Sequence, residues 1–443
     1  MFFIRQFFKR FEKYLKNTSW IFGEKVVGMV VAFAVTIVVA RHFGPELFGV
    51  WSYALSLVGL FSIAGHMGLS GLVVRELVSD DENVREILGT AFILKLAGMC
   101  VGMALLAIYV FSYEAVGSLE FWVLLIVGSS LSLRAFSVIQ FWFESQVQAR
   151  FTAIAHLVAL PAIAGYKVGL VLMDASLLLF ATSSVLEAVL SAILLVVLYR
   201  KTTGIKPSRW CFSSVRARKL LKKGGLIFLG SIFAMVYLKV DQVMLRWLVG
   251  PAEVGVYAVA ARLSEVWYFI PTAIVASFFP RLIQLRKQAI ALYKARLQQV
   301  FDLLFVIALA VAIAVTLVSG LIITLLFGAA YSDSASILNI HIWAGVFIFM
   351  RAALSKWILI EDVLVFSLVT QGLGAGVNII LNLIFIPYAG GIGAAWATLL
   401  SYAAASYLSL LFVPKTREVF VMMSKAMLAP ARYVYLGIRR ITK

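Results

Sequence analysis

Charged side chains lie inside long apolar stretches of this chain, where each one costs free energy unless it pairs, reaches a helix end or faces a water-filled cavity. Basic residues outnumber acidic ones there by nine to four. The basic set is Lys25, Arg41, Lys95, Arg134, Lys167, Lys239, Arg246, Arg262 and Arg351, and the acidic set is Glu24, Glu187, Asp241 and Glu265. This imbalance predicts that a cavity shared by these side chains is cationic.

Two arginines beside a Gly-Pro turn indicate an anion site. Arg246 and Arg262 lie on either side of the Gly250-Pro251 step, so two antiparallel helices would bring their guanidinium groups close. Paired guanidinium groups suit a phosphate or pyrophosphate, because each offers a fork of N–H donors. We predict substrate binding by eight basic residues: Arg262, Arg246, Arg41, Lys239, Arg134, Arg351, Lys95 and Lys25. Those near helix ends equally fit long side chains that reach the membrane interface.

The four acidic residues, Asp241, Glu265, Glu24 and Glu187, are predicted to couple the protein to an ion gradient. For Asp241 and Glu265, burial favours the neutral acid and a neighbouring arginine favours the carboxylate, a balance that suits proton or cation binding. Arg262 and Glu265 are three residues apart, so they can share a helix face and pair. A buried structural ion pair is the competing interpretation.

No pattern for enzyme chemistry accompanies these charges. Cys100 falls in a predicted span and Cys211 in a basic loop, so they cannot form a disulfide framework. The four histidines have no metal-ligand spacing, and neither a phosphate-binding loop nor a nucleophile motif is present. We predict no metal and no bound cofactor, only coupling to a proton or cation gradient.

Composition indicates an all-α integral membrane protein, because 63% of the 443 residues are hydrophobic and 14% are charged. Apolar stretches of about 20 residues, enough to cross a ~30 Å hydrocarbon core, recur along the chain. Twelve spans are predicted, at residues 18–40, 47–70, 87–111, 119–142, 151–173, 176–199, 224–249, 255–279, 302–327, 335–359, 363–387 and 390–413.

Lysine and arginine cluster at the start, in 200–223, in 280–299 and after Pro414, which together hold 26 of the 39. Basic residues near spans stay in the cytoplasm, and twelve spans place all four clusters, and both termini, on that side. Beside a membrane such clusters attract anionic lipid, and no nucleic-acid partner is predicted. The predicted parts are an interfacial amphipathic helix (1–17), a first lobe (18–199), a basic linker (200–223), a second lobe (224–413) and a basic tail (414–443).

A short pattern occurs twice, each time between two apolar stretches. Gly44-Pro45 is followed by Gly49, and Gly250-Pro251 by Gly255, at a separation of 206 residues. Repeated turns separated by six spans predict two six-helix lobes that are parallel repeats, as in secondary transporters.

The chain also resembles a known family at several stretches. In the first lobe these are Trp20–Lys25, Ala40–Gly49, Ser52–Ala54, Gly68-Leu69 and Val74–Leu77. In the second lobe they are Asp241–Leu245, Gly250, Val254–Tyr257, Ala261–Glu265, Phe279–Leu282 and Gly391–Thr398. The chain is similar at these positions to bacterial polysaccharide flippases of the Wzx type.

This resemblance implies the multidrug/oligosaccharidyl-lipid/polysaccharide exporter superfamily, with two six-helix lobes in a V and transport by alternating access. It implies an undecaprenyl-pyrophosphate-linked repeat unit of O-antigen, capsule or exopolysaccharide as the cargo, moved across the bacterial inner membrane. Membrane lipid, and a glycan polymerase with a chain-length regulator, are the implied partners of a monomer.

Other interpretations stay open. A flippase for lipid II or a teichoic-acid precursor would need nearly the same charge distribution, and only the family motifs distinguish it. A drug or cation antiporter shares the fold, but its substrates would favour an acid-lined cavity. A major facilitator would carry Gly-x-x-x-Asp-Arg-x-Gly after the second span, where this chain has none. A membrane polymerase or ligase would need larger outward loops for its acid and base groups.

Overall fold

A computed structural model describes the backbone of residues 2–432, with their side chains except at 2–16, 18, 226 and 364. Every regular element in this range is helical, which confirms the predicted fold class. The α-helices are α1 (Phe2–Phe61), α2 (Leu69–Ser79), α3 (Val84–Tyr113), α4 (Leu119–Ser129), α5 (Val138–Ser145), α6 (Ala149–Leu172), α7 (Leu177–Thr203), α8 (Ser214–Leu248), α9 (Pro251–Glu265), α10 (Phe269–Gln288), α11 (Ile290–Phe327), α12 (Ser334–Ile360), α13 (Leu364–Ser406) and α14 (Arg417–Met427).

Within the described residues, ten helical stretches are long and apolar enough to cross a membrane. Two of them contain a glycine outside the helical conformation, Gly44 in α1 (φ 69°) and Gly390 in α13 (φ 51°). Glycine adopts positive φ at little cost, so each stretch is divided there into two arms. The ten stretches therefore accommodate all twelve predicted spans.

Contacts divide the chain into two compact units. The first comprises 1–43 and 50–235, and the second comprises 44–49 and 236–443. The division falls inside α8, which differs from the sequence prediction of a boundary in the linker 200–223. The backbone is also helical from Phe2 through residue 17, where the sequence predicts the end of a separate interfacial helix.

The basic linker is attached to the first unit. The amide of Cys211 donates to the carbonyl of Arg85 (3.2 Å), and that of Ser213 donates to Thr90 Oγ1 (3.0 Å). A Cβ on Gly89 would lie 2.3 Å from the carbonyl oxygen of Cys211, so glycine permits this close approach. The predicted loop is consequently short, since α7 continues to Thr203 and α8 begins at Ser214.

One arginine holds this attachment through three acids. Arg216 donates to Glu86 Oε1 (2.9 Å), Asp80 Oδ2 (3.0 Å) and Glu76 Oε2 (3.1 Å). Hydrogen bonds from Asn83 and Arg216 lower the pKa of the Asp80 carboxyl from its ordinary 3.8. Partial burial acts to lower the pKa of the Arg216 guanidinium, but its hydrogen bonds to Glu86, Asp80 and Glu76 outweigh burial and raise the pKa.

The second unit shows why both helix faces are apolar. On α11, Ala308, Ala312 and Ser319 are buried, whereas Leu317 and Leu321 are 79% and 69% exposed. Exposed leucines at four-residue spacing are typical of a helix face that contacts lipid.

Beyond α14, the guanidinium of Arg432 pairs with Asp302 of α11. Residues 433–443 of the predicted basic tail lie outside the described part.

The two Gly-Pro segments contact each other within the second unit. A Cβ built on Gly49 would lie 1.7 Å from the carbonyl oxygen of Pro251, and one on Gly255 would lie 2.0 Å from that of Pro45. These glycines therefore allow backbone-to-backbone contact, which is the close helix approach typical of small residues in membranes.

Candidate functional site

A polar pocket lies among α8, α9, α12 and α13 of the second unit. About 310 Å³ of space unfilled by protein atoms lies within it, and this space includes open solvent. Its lining residues are Tyr237, Leu238, Asp241, Gln242, Tyr257, Ala261, Glu265, Tyr268, His341, Thr398 and Tyr402. The lining has two carboxylates and no lysine or arginine, so this pocket is opposite in charge to the shared cavity predicted from the sequence.

Asp241 is the centre of a hydrogen-bond network. Its side chain is buried, and it accepts from Asn382 Nδ2 (2.6 Å), Thr398 Oγ1 (2.7 Å) and the Tyr257 hydroxyl (2.8 Å). Asn382 also donates to Asn378 Oδ1 (3.1 Å). A carboxylate at membrane depth is costly, and three donors offset part of that cost.

The bend in α13 explains how distant residues reach one carboxylate. Asn378 and Asn382 are four residues apart and share a face of the first arm, whereas Thr398 follows on the second arm after Gly390. A straight helix would separate Asn382 from Thr398 by about 24 Å at 1.5 Å per residue. The non-helical glycine therefore brings two arms to the same side chain.

Two polar atoms of this network have no hydrogen-bond partner among the described residues. They are Asn382 Oδ1 and Asn378 Nδ2, and both are buried. An orphaned buried amide oxygen beside a carboxylate and a threonine hydroxyl adds to a set of oxygen donors. Such a set fits a monovalent cation or a proton. No group of three His, Cys, Asp or Glu side chains in the described residues is arranged for a metal ion.

The second predicted acid, Glu265, lines the same pocket from the last turn of α9. The structure thus brings together Asp241 and Glu265, which the sequence placed on neighbouring helices. Within the described part of the chain, Arg262 is exposed and does not line the pocket that Glu265 lines. Arg262 is exposed on α9, and its charge is available at the surface of the unit.

The remaining predicted residues of the second unit are not among the lining residues of this pocket. Arg246 and Lys239 are half-buried on α8. Arg351 donates to Thr370 Oγ1 and the carbonyl of Ala405, each at 3.2 Å. It lies within electrostatic reach of the pocket tyrosines. Both of these acceptors are neutral oxygens, so the hydrogen bonds orient the guanidinium without neutralising its charge.

In the first unit the predicted residues form three separate groups. Glu24 Oε1 lies 3.1 Å from His156 Nδ1, and Glu187 lies 3.9 Å from Lys167 Nζ. Lys95 is buried and Arg134 is exposed, and both are within electrostatic reach of one histidine. Lys25 and Arg41 are exposed on α1.

Neutral polar residues of the site were missed by sequence reasoning. Tyr257, Asn378, Asn382 and Thr398 complete the Asp241 network, but the predictions considered only charged side chains. One signal was present. Two asparagines four residues apart in an otherwise apolar span mark a polar helix face, because unpaired amides are costly in hydrocarbon.

The fold is that of a MATE-like membrane transporter. The chain is similar to the lipid II flippase MurJ in an inward closed conformation, with a TM-score of 0.70 and 16% identity over 95% of this chain and 93% of that one. It is also similar to an inward-facing MATE-family multidrug resistance transporter of the MOP superfamily, with a TM-score of 0.67 and 14% identity over 90% and 96% of the chains. At these identities the likeness concerns the fold.

Sequence comparison identifies the family. Residues 14–286 match the family model described as polysaccharide biosynthesis protein, which is more than half of the chain, and the chain belongs to that family. A Shigella flexneri protein assigned as an O-antigen transporter is 25% identical over 74% of this chain and 80% of its own length. A Haloferax volcanii protein assigned as flippase AglR is 29% identical over 89% and 82%. These findings confirm the resemblance to Wzx-type flippases and indicate a multi-pass membrane transporter rather than an enzyme.

Proposed function

We propose that this protein moves undecaprenyl-pyrophosphate-linked oligosaccharide repeat units from the cytoplasmic to the outer leaflet of the bacterial inner membrane by alternating access. The family match and the names of the two relatives support a glycan cargo. The structural observation that carries the proposal of transport is Asp241, a buried carboxylate in a membrane helix that lines a polar pocket. Ionisable groups at this depth in membrane proteins commonly serve ion or substrate pathways.

Coupling is assigned to the acids of the pocket. When Asp241 is charged, its carboxylate and the orphaned Asn382 oxygen attract a cation or a proton, and the three donors keep the carboxylate charged while the site is empty. Such a cation would be held by Asp241, Asn382 and Thr398 and would supply charge neutralisation. A bound cation or proton would lower the free energy of one arrangement of α8, α9 and α13 relative to the other. An ion gradient can drive transport only if the ion binds the two conformations with different affinity. Glu265, and Glu24 and Glu187 of the first unit, are secondary candidates.

The negative charge of the cargo's pyrophosphate must be balanced by cationic side chains, because its transfer through a region of low dielectric constant costs free energy. Arg262 and Arg246 are the leading candidates in the second unit, since they follow one another across the Gly250 turn. Arg41, Lys239, Arg351 and Lys25 would tune the potential along the path. The lipid tail need not enter the protein. Membrane lipid is the first partner, and a glycan polymerase with a chain-length regulator would act on the product.

A direct test is translocation in liposomes. The purified chain is reconstituted with a fluorescent undecaprenyl-pyrophosphate-linked glycan, and the fraction accessible to an external quencher is followed with and without a proton or sodium gradient. We expect gradient-dependent translocation by the wild type, loss for Arg262→Ala and wild-type rates for the control Arg218→Ala, which is exposed on the linker side. Equal rates for wild type and empty liposomes would overturn the proposal.

The acidic lining supports one second candidate, an antiporter for organic cations. The two carboxylates and four tyrosines that line the pocket offer the negative charge and the aromatic faces that favour an organic cation. Efflux of ethidium from proteoliposomes, abolished by Glu265→Gln, would favour this alternative over a glycan flippase.

A further inference from the structure

Three basic side chains meet in the first unit, far from the pocket residues in sequence. Lys95 lies on α3, Arg134 lies in a 3-10 turn (Ser132–Ser137) and His66 follows another 3-10 turn (Ser62–Gly65). Lys95 and Arg134 are both within electrostatic reach of the His66 imidazole. The group therefore places two cationic side chains, Lys95 and Arg134, near one imidazole, and the three residues come from three separate segments.

Lys95 is the buried member. It is 6% exposed, its Nζ donates to Ser137 Oγ (2.5 Å), and it lies 5.2 Å from the centre of the Phe141 ring. Among the described residues no carboxylate pairs with it. It lies about 16 Å along α3 from Val84, within the apolar stretch Val84–Tyr113. An ammonium group without a counter-ion in such a stretch is costly, and a hydroxyl and a ring face compensate it only in part.

Both neighbouring segments are breaks in membrane helices. The chain leaves helical geometry after Phe61 and resumes it at Leu69, with positive φ at Met67 and Gly68. A second break separates α4 from α5 around Arg134. Irregular backbone at membrane depth is tolerated where it is buried in protein or lines a water-filled cavity, and broken helices commonly surround substrate sites in transporters.

Glycines on α3 fix the first break against Lys95. A Cβ on Gly98 would lie 2.2 Å from the carbonyl oxygen of Ala64, and one on Gly102 would lie 2.3 Å from that of Phe61. Larger residues would push the break away from α3. The contact therefore holds the segment bearing His66 next to the helix bearing Lys95.

We propose that Lys95, Arg134 and His66 form an anion site in the first unit that binds a phosphate or diphosphate group. Lys95 supplies the buried charge, while Arg134 and His66 are exposed and offer donors at the surface. If the anion is the head group of a lipid-linked glycan, the site deepens the proposed function and rests on it. If the anion is free phosphate or diphosphate, the site stands independently of that function.

The test measures binding directly. Full-length protein in detergent is titrated by calorimetry with inorganic diphosphate, with farnesyl diphosphate and with farnesol. The variants are Lys95→Met, which keeps the buried side-chain volume, and Arg134→Gln, which is exposed and spares the core. The control is Lys167→Met, another lysine of the first unit, whose nearest acid is Glu187. Thermal unfolding of each variant without ligand separates loss of packing from loss of binding.

We expect the wild type to bind both inorganic diphosphate and farnesyl diphosphate. Farnesol, which has no phosphate, should bind the wild type and Lys95→Met equally. Lys95→Met should weaken both diphosphates by about tenfold or more, as expected for a lost charge-assisted contact. Arg134→Gln should weaken them several-fold, and Lys167→Met should leave them unchanged.

Three outcomes separate the possibilities. Unchanged diphosphate affinity in both Lys95→Met and Arg134→Gln overturns the anion site, whatever the liposome assay gives. Loss confined to inorganic diphosphate supports a site for the free anion and overturns the lipid-linked cargo as its ligand. Lys95-dependent binding of both diphosphates, in a protein that moves no glycolipid, supports the site while the proposed function fails.

Discussion

At the scale of single residues, Asp241 is the side chain whose chemistry the structure specifies best. It accepts from three donors that come from α9 and from both arms of α13. None of these three donors is an arginine, so neutral hydrogen bonds stabilise the carboxylate. The coupling role of Asp241 stays a prediction.

Replacing this carboxylate should separate transport from folding. Asp241→Asn keeps the shape and one acceptor, and the hydroxyls of Tyr257 and Thr398 can rotate, so we expect normal protein levels in the membrane and loss of gradient-driven transport. Asp241→Ala leaves buried donors unsatisfied at about 1–3 kcal/mol each, and we expect less folded protein. Immunoblots of membranes and the liposome assay measure the two effects. Asp174→Asn, with an almost fully exposed side chain, is the control. Wild-type transport by Asp241→Asn would contradict the coupling role.

At the scale of elements, the reciprocal contact of the two Gly-Pro segments can be tested by adding a single methyl group. Gly49→Ala and Gly255→Ala would each place a Cβ within 2.0 Å of a backbone carbonyl oxygen. Since backbone must shift to admit the methyl, we expect destabilisation of about 1–3 kcal/mol or more. Gly59→Ala is the matched control, because a Cβ there meets nothing within 4 Å. Thermal unfolding in detergent provides the comparison, and equal stability of Gly255→Ala and Gly59→Ala would refute the tight contact.

The attachment of the linker depends on Arg216 and is predicted to be sensitive to acid. The pKa of Asp80 is lowered in the folded protein, so its contribution is present above its ordinary 3.8 and is lost as pH falls through the lowered value. We expect the linker to resist trypsin near neutral pH in the wild type and to be cut after Arg209 in Arg216→Gln.

A matched substitution and an acid series complete that experiment. Arg218→Gln removes an exposed charge two residues away and should leave the cleavage rate unchanged. The protection of 204–213 from hydrogen exchange, after correction for the intrinsic pH dependence of amide exchange, should be lost in the wild type only as pH falls below the ordinary 3.8 of Asp80. Protection that is equal in Arg216→Gln and wild type would show that backbone contacts alone hold the linker.

At the scale of the whole molecule, the number of spans predicts whether both termini lie on the same side of the membrane. Ten helical stretches with two glycine divisions accommodate twelve crossings, and an even number keeps both ends on one side. Reporter fusions after Met173, Pro251 and Asp333 should therefore read outside, and fusions in 204–213 and after Pro414 should read inside. A cytoplasmic signal from the fusion after Pro251 would contradict the prediction that the two lobes are parallel repeats.

Local chemistry along the chain is enough to determine much of this molecule. Apolar length specifies helices in a membrane, because a backbone in hydrocarbon must satisfy its own hydrogen bonds. Gly44 and Gly250 marked real turns, since glycine and proline act on the adjacent backbone alone. The sequence also placed Asp241 and Glu265 on neighbouring helices, because a short turn joins α8 and α9, and the structure shows both in the lining of one pocket.

Only the tertiary structure decided which distant groups meet. Asn382 and Thr398 reach Asp241 across 141 and 157 residues, and Ser137 reaches Lys95 across 42. Apolar spans carry little information about partners, because in lipid both faces of a helix are hydrophobic and periodicity no longer distinguishes them. The pairing depends instead on where small residues such as Gly98 and Gly255 let backbones approach and where helices break. These are properties of packing between elements, which no single stretch of sequence contains.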